Sequence, residues 1–394
     1  MSEDSYTEVT EQSWFSRIGG ALKGIIFGLL LFLGAFVLLF WNEGRAVKTY
    51  KTLKEGSGIV ISVPADRVDP ANQGKLVHLS GRAVTEATLR DPVFGVSANA
   101  IKLRREVEMY QWQEHSKSEE KKKLGGGTET VTTYSYSKVW SSHAISSSSF
   151  KKSSGHENPG PMPYQNAEQL ADKVTLGAFN LPASLVGKIG GAQPLPVSSE
   201  TPLPEELAGR AQRQDGGFYI GDNPASPQIG DVRIRFEIVP QQDISVVAEQ
   251  SGSSFTAYQS KAGGSIELLQ EGIKTAAAMF EKAQHDNTIL TWILRAVGFF
   301  LMFAGLSMML KVLSVLADIV PFFGNLVGAG TGIISFLITA LLSLLTIAVA
   351  WITFRPLLGI GLIVAAAILA FLIKGKMGKA APQAAVPPPP PPHV

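Results

Sequence analysis

The sequence predicts a multispanning α-helical membrane protein with four transmembrane helices. A large β-dominated α+β extracytoplasmic domain is expected between the first and second of them. Three observations carry this reading. Apolar residues gather in uncharged runs near both ends of the 394-residue chain, at 24–41, 319–354 and 356–373. Charged residues make up 17% of the whole, which is low for a chain folded wholly in water. Between the runs, Val232, Ile234, Phe236 and Ile238 alternate with Arg233, Arg235 and Glu237, the pattern of a strand with one wet face.

Taken in order, residues 1–21 form a cytoplasmic N-terminus and 22–41 the first span, since about 20 apolar residues cross the roughly 30 Å hydrocarbon core. The run is followed by Asn42-Glu43-Gly44-Arg45 rather than by a small-residue cleavage site, so it reads as a signal anchor. Residues 42–288 form the periplasmic or lumenal domain. The second span is 289–310, interrupted by Arg295. A short cytoplasmic or interfacial connection follows at 311–331, then spans at 332–354 and 356–373. The Pro-rich tail, 374–394, starts with Lys374, Lys376 and Lys379. These lysines put the C-terminus in the cytoplasm, and four spans return the N-terminus to the same side.

Within the domain, 75–79 and 244–249 also read as strands. Residues 102–113 and 130–140 read as a long hairpin, with a mobile charged and glycine-rich tip at 114–129. The 141–154 stretch is a serine-rich loop. Apolar residues at helical spacing in 166–189 (Leu170, Val174, Phe179) suggest a helix ending at Pro182, and 201–206 resembles a helix start. Residues 265–287 are rich in helix formers and run towards the second span.

The chemistry of the chain is sparse. A net charge of +2 supplies no basic field for nucleic acid. The absence of cysteine removes disulfides, thiol nucleophiles and thiolate metal sites. His78, His115, His143, His156, His285 and His393 are each solitary, and none has the spacing of a local metal motif. No GxSxG, P-loop, dinucleotide fingerprint or HExxH is present. Catalytic residues, cofactors and metals are therefore expected to be none.

Three groups of residues stand out. Gly324, Gly328 and Gly332 are spaced to let helices approach closely, although Pro321 and Asn325 also suit a turn between spans. Glu43, Arg45, Arg295 and Arg355 mark the outer membrane boundary, and Lys311 and Asp318 the inner one. Charges in such places reach for water. Tyr110 and Trp112 share one strand face, as do Tyr134, Tyr136 and Trp140. Cross-strand aromatic pairing explains them, and a partner surface is the alternative. Pro387–Pro392 reads as polyproline II.

From 42 to 373 the chain resembles the LUMA (transmembrane protein 43) family of four-span membrane proteins. The likeness lies in Asn42-Glu43-Gly44-Arg45-Ala46, in 74–78 (GKLVH), in 91–96 (DPVFGV) and in 101–112 (IKLRREVEMYQW). It recurs in Tyr134-Ser135-Tyr136, His156-Glu157-Asn158-Pro159, Gly221-Asp222-Asn223-Pro224, Gly230-Asp231-Val232-Arg233 and Arg355-Pro356-Leu357. The resemblance implies a lumenal domain, self-association into homo-oligomers and the organisation of other membrane proteins, with no catalytic residues to carry over. Animal members are expected in the endoplasmic reticulum and inner nuclear membrane. The missing cysteines, the serine-rich loop and the Pro-rich tail point this chain to a bacterial cytoplasmic membrane. The expected function is a self-associating, non-enzymatic scaffold. The alternatives are an ion channel or channel regulator, and a membrane enzyme whose site residues converge from distant parts of the chain.

Overall fold

The computed structural model describes residues 5–198, 201, 209–357 and 361. Among these, three helices are long and apolar enough to cross a membrane: α1 (Trp14–Ile59), α3 (Ala276–Ala317) and α4 (Pro321–Phe354). The expected number was four; three are found. The fourth expected span, 356–373, falls outside the described residues except for Pro356, Leu357 and Gly361. A fourth helix of the described chain, α2 (Ala183–Val186), is a single turn in the domain.

Both long connecting helices start at side-chain caps. The hydroxyl of Ser13 accepts from the Ser16 amide at 3.3 Å and that of Thr275 from the Ala278 amide at 3.2 Å, satisfying amides that have no partner inside the helix. Neither helix stops at the edge of its apolar section. α1 runs on to Ile59 and α3 begins at Ala276, so the bundle continues into the domain. Residues 265–271, expected in a helix, contain the strands Ser265–Ile266 and Leu268–Glu271. The expected connection at 311–331 narrows to 318–320 between α3 and α4.

Six strands define the domain: β1 (Ser5–Gln12), β2 (Leu76–Val84), β3 (Lys102–Lys122), β4 (Thr128–Ser141), β5 (Val232–Val239) and β6 (Gln242–Ser251). One sheet runs β1-β4-β3-β5 and continues through Gly217–Ile220 and Ala211–Gln214; a second is centred on the antiparallel pair β2-β6. Their inner faces enclose the main core, where Phe94 lies against Phe218 and Phe236. The helical pattern in 166–189 is overruled by this core. Ala167–Leu170, Thr175–Leu176 and Phe179–Asn180 are strands, with Leu176 and Phe179 fully buried between the sheets. The helix start expected at 201–206 lies outside the described residues except for Thr201.

A second core joins bundle to domain: Leu53 of α1, Met279 and Phe280 of α3, Leu76 and Val247 of the second sheet, and Ile266 of a small two-stranded sheet. Within the bundle, α1 and α3 touch backbone to backbone. A Cβ at Gly28 would lie 2.7 Å from the Gly305 carbonyl oxygen, and one at Gly305 would lie 2.6 Å from that of Gly28. Elsewhere the helices expose large apolar side chains, among them Ile26, Leu30, Val37, Phe322, Leu337 and Leu344, a surface suited to lipid.

Candidate functional site

Two polar clusters bind the helices, one at each end of their apolar section. Near the domain, Glu43 of α1 is fully buried. Its carboxylate accepts from Arg295 Nε of α3 at 2.6 Å and from the Trp351 indole Nε1–H of α4 at 2.8 Å. The Arg295 guanidinium lies 4.7 Å from the centre of the Trp292 ring and 5.7 Å from that of Trp351, and Arg355 covers Trp351 at 5.9 Å. One carboxylate, two guanidinium groups and two indoles therefore fasten three helices together. Tryptophan and arginine suit this depth, because each offers an apolar or weakly hydrated body and a donor.

Arg45 sits two residues further along α1, about half a turn on, and belongs to a neighbouring network. It donates to Asn287 Oδ1 at 3.0 Å and Thr291 Oγ1 at 2.9 Å on α3, and Asn42 Nδ2 donates to the Thr291 carbonyl at 3.0 Å. Sequence reading placed Glu43, Arg45, Arg295 and Arg355 together at the outer membrane boundary. It missed Asn42, Asn287, Thr291 and Trp351, which complete the contacts.

At the opposite end, Asp318 follows α3 and is 1% exposed. It takes Arg17 Nη2 at 2.5 Å and Lys122 Nζ at 2.7 Å. Lys122 comes from the tip of the β3-β4 hairpin. The tip is further held by Arg17 Nη1 donating to the Gly126 carbonyl and by the Gly125 amide donating to the Ile319 carbonyl at 3.0 Å. Trp14 packs on Gly126 and donates from Nε1 to the Val315 carbonyl at 2.8 Å. The tip, expected at 114–129, is therefore reduced to 123–127, because the strand ladder runs on through Lys122↔Thr128.

The hairpin spans the height of the apolar helices. About 21 residues of strand at roughly 3.3 Å each match the reach of α1 from Ile59 back to Arg17, at about 1.5 Å per residue. β3 carries Lys117, Glu119, Glu120 and Lys121 along this stretch, and β1 forms an outer edge of the sheet. Hydrocarbon cannot solvate these charges or an open strand edge.

The aromatic residues of the hairpin are engaged by the chain itself. Tyr110 and Trp140 pair across the strands at 5.1 Å, and Arg233 lies over Trp140 at 4.5 Å. His156 stacks on Tyr136 at 3.8 Å and meets the edge of Trp112 at 4.8 Å, while Tyr6 of β1 tilts against Tyr134. Hydrogen bonding to Asp231 and burial push the Tyr219 hydroxyl well above its usual value, burial being the larger cause. The glycines do not form one seam. Gly324 lies against Asp318, a Cβ at Gly328 would meet Ser314 Oγ at 3.0 Å, and Gly332 faces open space. Among the described residues, no group of three or more histidine, aspartate or glutamate side chains is placed to hold a metal.

Relatives resemble this chain in sequence over most of its length. Transmembrane protein 43 of the rat is 36% identical over 371 residues, covering 90% of this chain and 91% of the relative. The human protein of that name is 35% identical over 360 residues, covering 88% of each chain. A homolog from Drosophila melanogaster is 31% identical over 351 residues, covering 87% of this chain and 92% of its own length. No solved structure matches. The family profile described as Transmembrane protein 43 matches residues 109–356. Arg295, Trp351 and the Arg233–Trp140 pair lie inside that match, and Glu43 lies outside it. The chain belongs to the transmembrane protein 43, or LUMA, family of membrane proteins.

Proposed function

We propose that the chain is a non-enzymatic membrane scaffold that self-associates and gathers other membrane proteins around its domain. The observation that carries this reading is the unbroken passage of α1 and α3 from the apolar section into the domain, sealed by the core around Leu53, Met279 and Phe280. A unit of that kind passes a contact in the membrane directly to the domain. Gly332, open on α4 beside exposed Ile333 and Phe336, offers a place where a second copy's helix approaches closely. Gly328 faces Ser314 of the same chain instead. We place the scaffold in a bacterial cytoplasmic membrane, on the absence of cysteine and the Pro-rich end of the chain.

The test is particle mass in nanodiscs across a range of protein-to-lipid ratios. Wild type is expected to form oligomers, and Gly332→Leu to lower the oligomer fraction with the domain still folded. Gly328→Leu is expected to weaken folding rather than association. A wild-type chain that stays monomeric at every ratio ends the proposal.

One observation favours a second reading, a channel or channel regulator. Polar strands at membrane depth are tolerated where they line water or are buried in protein, and the hairpin has the height to do so in a ring of copies. Liposomes carrying purified protein are then expected to conduct, and Glu119→Lys with Glu120→Lys to shift the reversal potential. Electrically silent liposomes remove this reading.

A further inference from the structure

A groove of about 1310 Å³ lies between α1 and α4 beside the Glu43 cluster. Its deep part is apolar, formed by Phe36, Val37 and Phe40 of α1 and by Leu342, Leu345 and Val349 of α4. Its shallow end carries Arg45, Lys48 and Lys51 and is closed by Ala262 of the domain. Arg45, Lys48 and Lys51 follow at intervals of three residues, so they rise along one face of α1. Lys48 and Lys51 are exposed, and neither ammonium has an acidic partner among the ion pairs of the described residues. The nearest boundary carboxylate, Glu43, is taken by Arg295 and Trp351. The groove thus joins an apolar slot to a rim whose two lysines make no ion pair among the described residues.

The dimensions suit one leaflet. From Phe36 to Val47 the helix rises about 16 Å, close to half of the roughly 30 Å hydrocarbon core. The cations then fall at the level of the headgroups, where Trp41 also lines the groove as an interfacial residue should. The geometry points to a binding site for an anionic glycerophospholipid of the domain-side leaflet. An acyl chain lies between α1 and α4, and the phosphate is held by Lys48 and Lys51 with Arg45 behind them. Charge complementarity selects this occupant: a second protein copy offering only an apolar helix leaves the rim unbalanced, and a zwitterionic lipid brings its own cation to the site.

The test uses full-length protein reconstituted in nanodiscs of phosphatidylcholine with a minor fraction of phosphatidylglycerol. Lipid retained after gentle detergent extraction is counted by native mass spectrometry. Wild type should retain phosphatidylglycerol in preference to phosphatidylcholine. Lys48→Ala and Lys51→Ala should each lower that preference about fivefold, the rough worth of one cation near an anionic surface. Lys48→Arg with Lys51→Arg should keep it. Val349→Trp fills the slot but leaves the rim intact, and should also expel the lipid. Equal retention of the two lipids by wild type overturns the site. So does a Val349→Trp variant that still holds phosphatidylglycerol, because the chain then lies elsewhere. Wild type with no retained lipid, whose mass changes when Val349 is replaced, assigns the groove to protein and overturns the proposal.

Discussion

Glu43 and Asp318 are both buried carboxylates at opposite ends of the helices' apolar section, yet they tie different things together. Glu43 draws only on helices: Arg295 from α3 and Trp351 from α4. Asp318 draws one cation from the start of α1 and another from a hairpin tip nearly two hundred residues earlier in the chain. Surrounding the bundle with lipid leaves the first cluster intact, since its groups lie at the boundary where indole and guanidinium are at home. The second cluster ties the tip of a polar hairpin to the ends of apolar helices, and lipid competes with the hairpin for that side. A membrane therefore sets the two clusters apart: one belongs to the bundle in every setting, and the other depends on what fills the space beside it.

The largest effect is expected at Glu43. Glu43→Ala leaves a mostly buried guanidinium and an indole without their acceptor, a loss of about 3–5 kcal/mol. Thermal unfolding in micelles and in nanodiscs should show the same drop. Replacing Arg295 by Met as well should restore part of it. A drop confined to one medium contradicts the placement of this cluster inside the bundle.

Asp318→Ala should cost about 3 kcal/mol in micelles, the lower end of that range, because Lys122 still reaches water. In nanodiscs the cost should shrink if lipid has displaced the tip. Trypsin reads this directly. Lys121, Lys122 and Lys123 should resist cleavage in micelles and become sensitive in Asp318→Ala, whereas a wild-type tip already cut quickly in nanodiscs shows that bilayer and tip exclude each other.

Gly28→Leu should cost about 1–3 kcal/mol or more by forcing α1 from α3, with no change in tip protection. If tip protection falls as well, the two ends of the bundle are coupled through helix packing.

The smallest effect is a pH dependence of the tip. The hydrogen bond from Lys123 holds the Glu129 carboxyl below the usual 4.5. Its contribution is full above that value and fades as the pH falls through the lowered one. Glu11 and then Glu129 raise the Lys123 ammonium above 10.5, so its contribution is full below 10.5 and is lost only as the pH rises through the higher value. Tip cleavage by an acid-active protease should therefore accelerate only once the pH has fallen below 4.5, while cleavage near neutral pH stays flat. Lys123 and Glu11 are exposed and Glu129 is half-buried, and salt should weaken the effect.

The apolar helices and the alternating strand at Val232–Val239 were legible because each repeats one period along a continuous segment. The boundary residues were legible as charges beside apolar runs. Their partners were harder to see: Asn42, Asn287 and Thr291 are ordinary polar residues of a helix until α1 and α3 are laid side by side. The 166–189 segment misled because Leu170, Val174 and Phe179 fit a helical spacing by coincidence, while burial between two sheets decided the outcome. The glycines show the same limit. Spacing favoured Gly324, Gly328 and Gly332, but the closest backbone approach uses Gly28 and Gly305, one from each helix and far apart in the chain. The helical continuation to Ile59 gave no periodic signal, since its apolar section gives way to Lys48, Lys51 and Lys54.

That continuation makes the molecule a lever. From Glu43 to Ile59, α1 extends about 24 Å beyond the boundary cluster at 1.5 Å per residue. Helices tilt as a bilayer thins or thickens around them. A tilt change of about 10° swings the far end of such an arm by roughly 4 Å, and α3 has a parallel arm from Arg295 back to Ala276. The second core grips both arms, so the domain shifts with them. Bilayer thickness becomes, in this geometry, a displacement of the sheet on the far side of the headgroups.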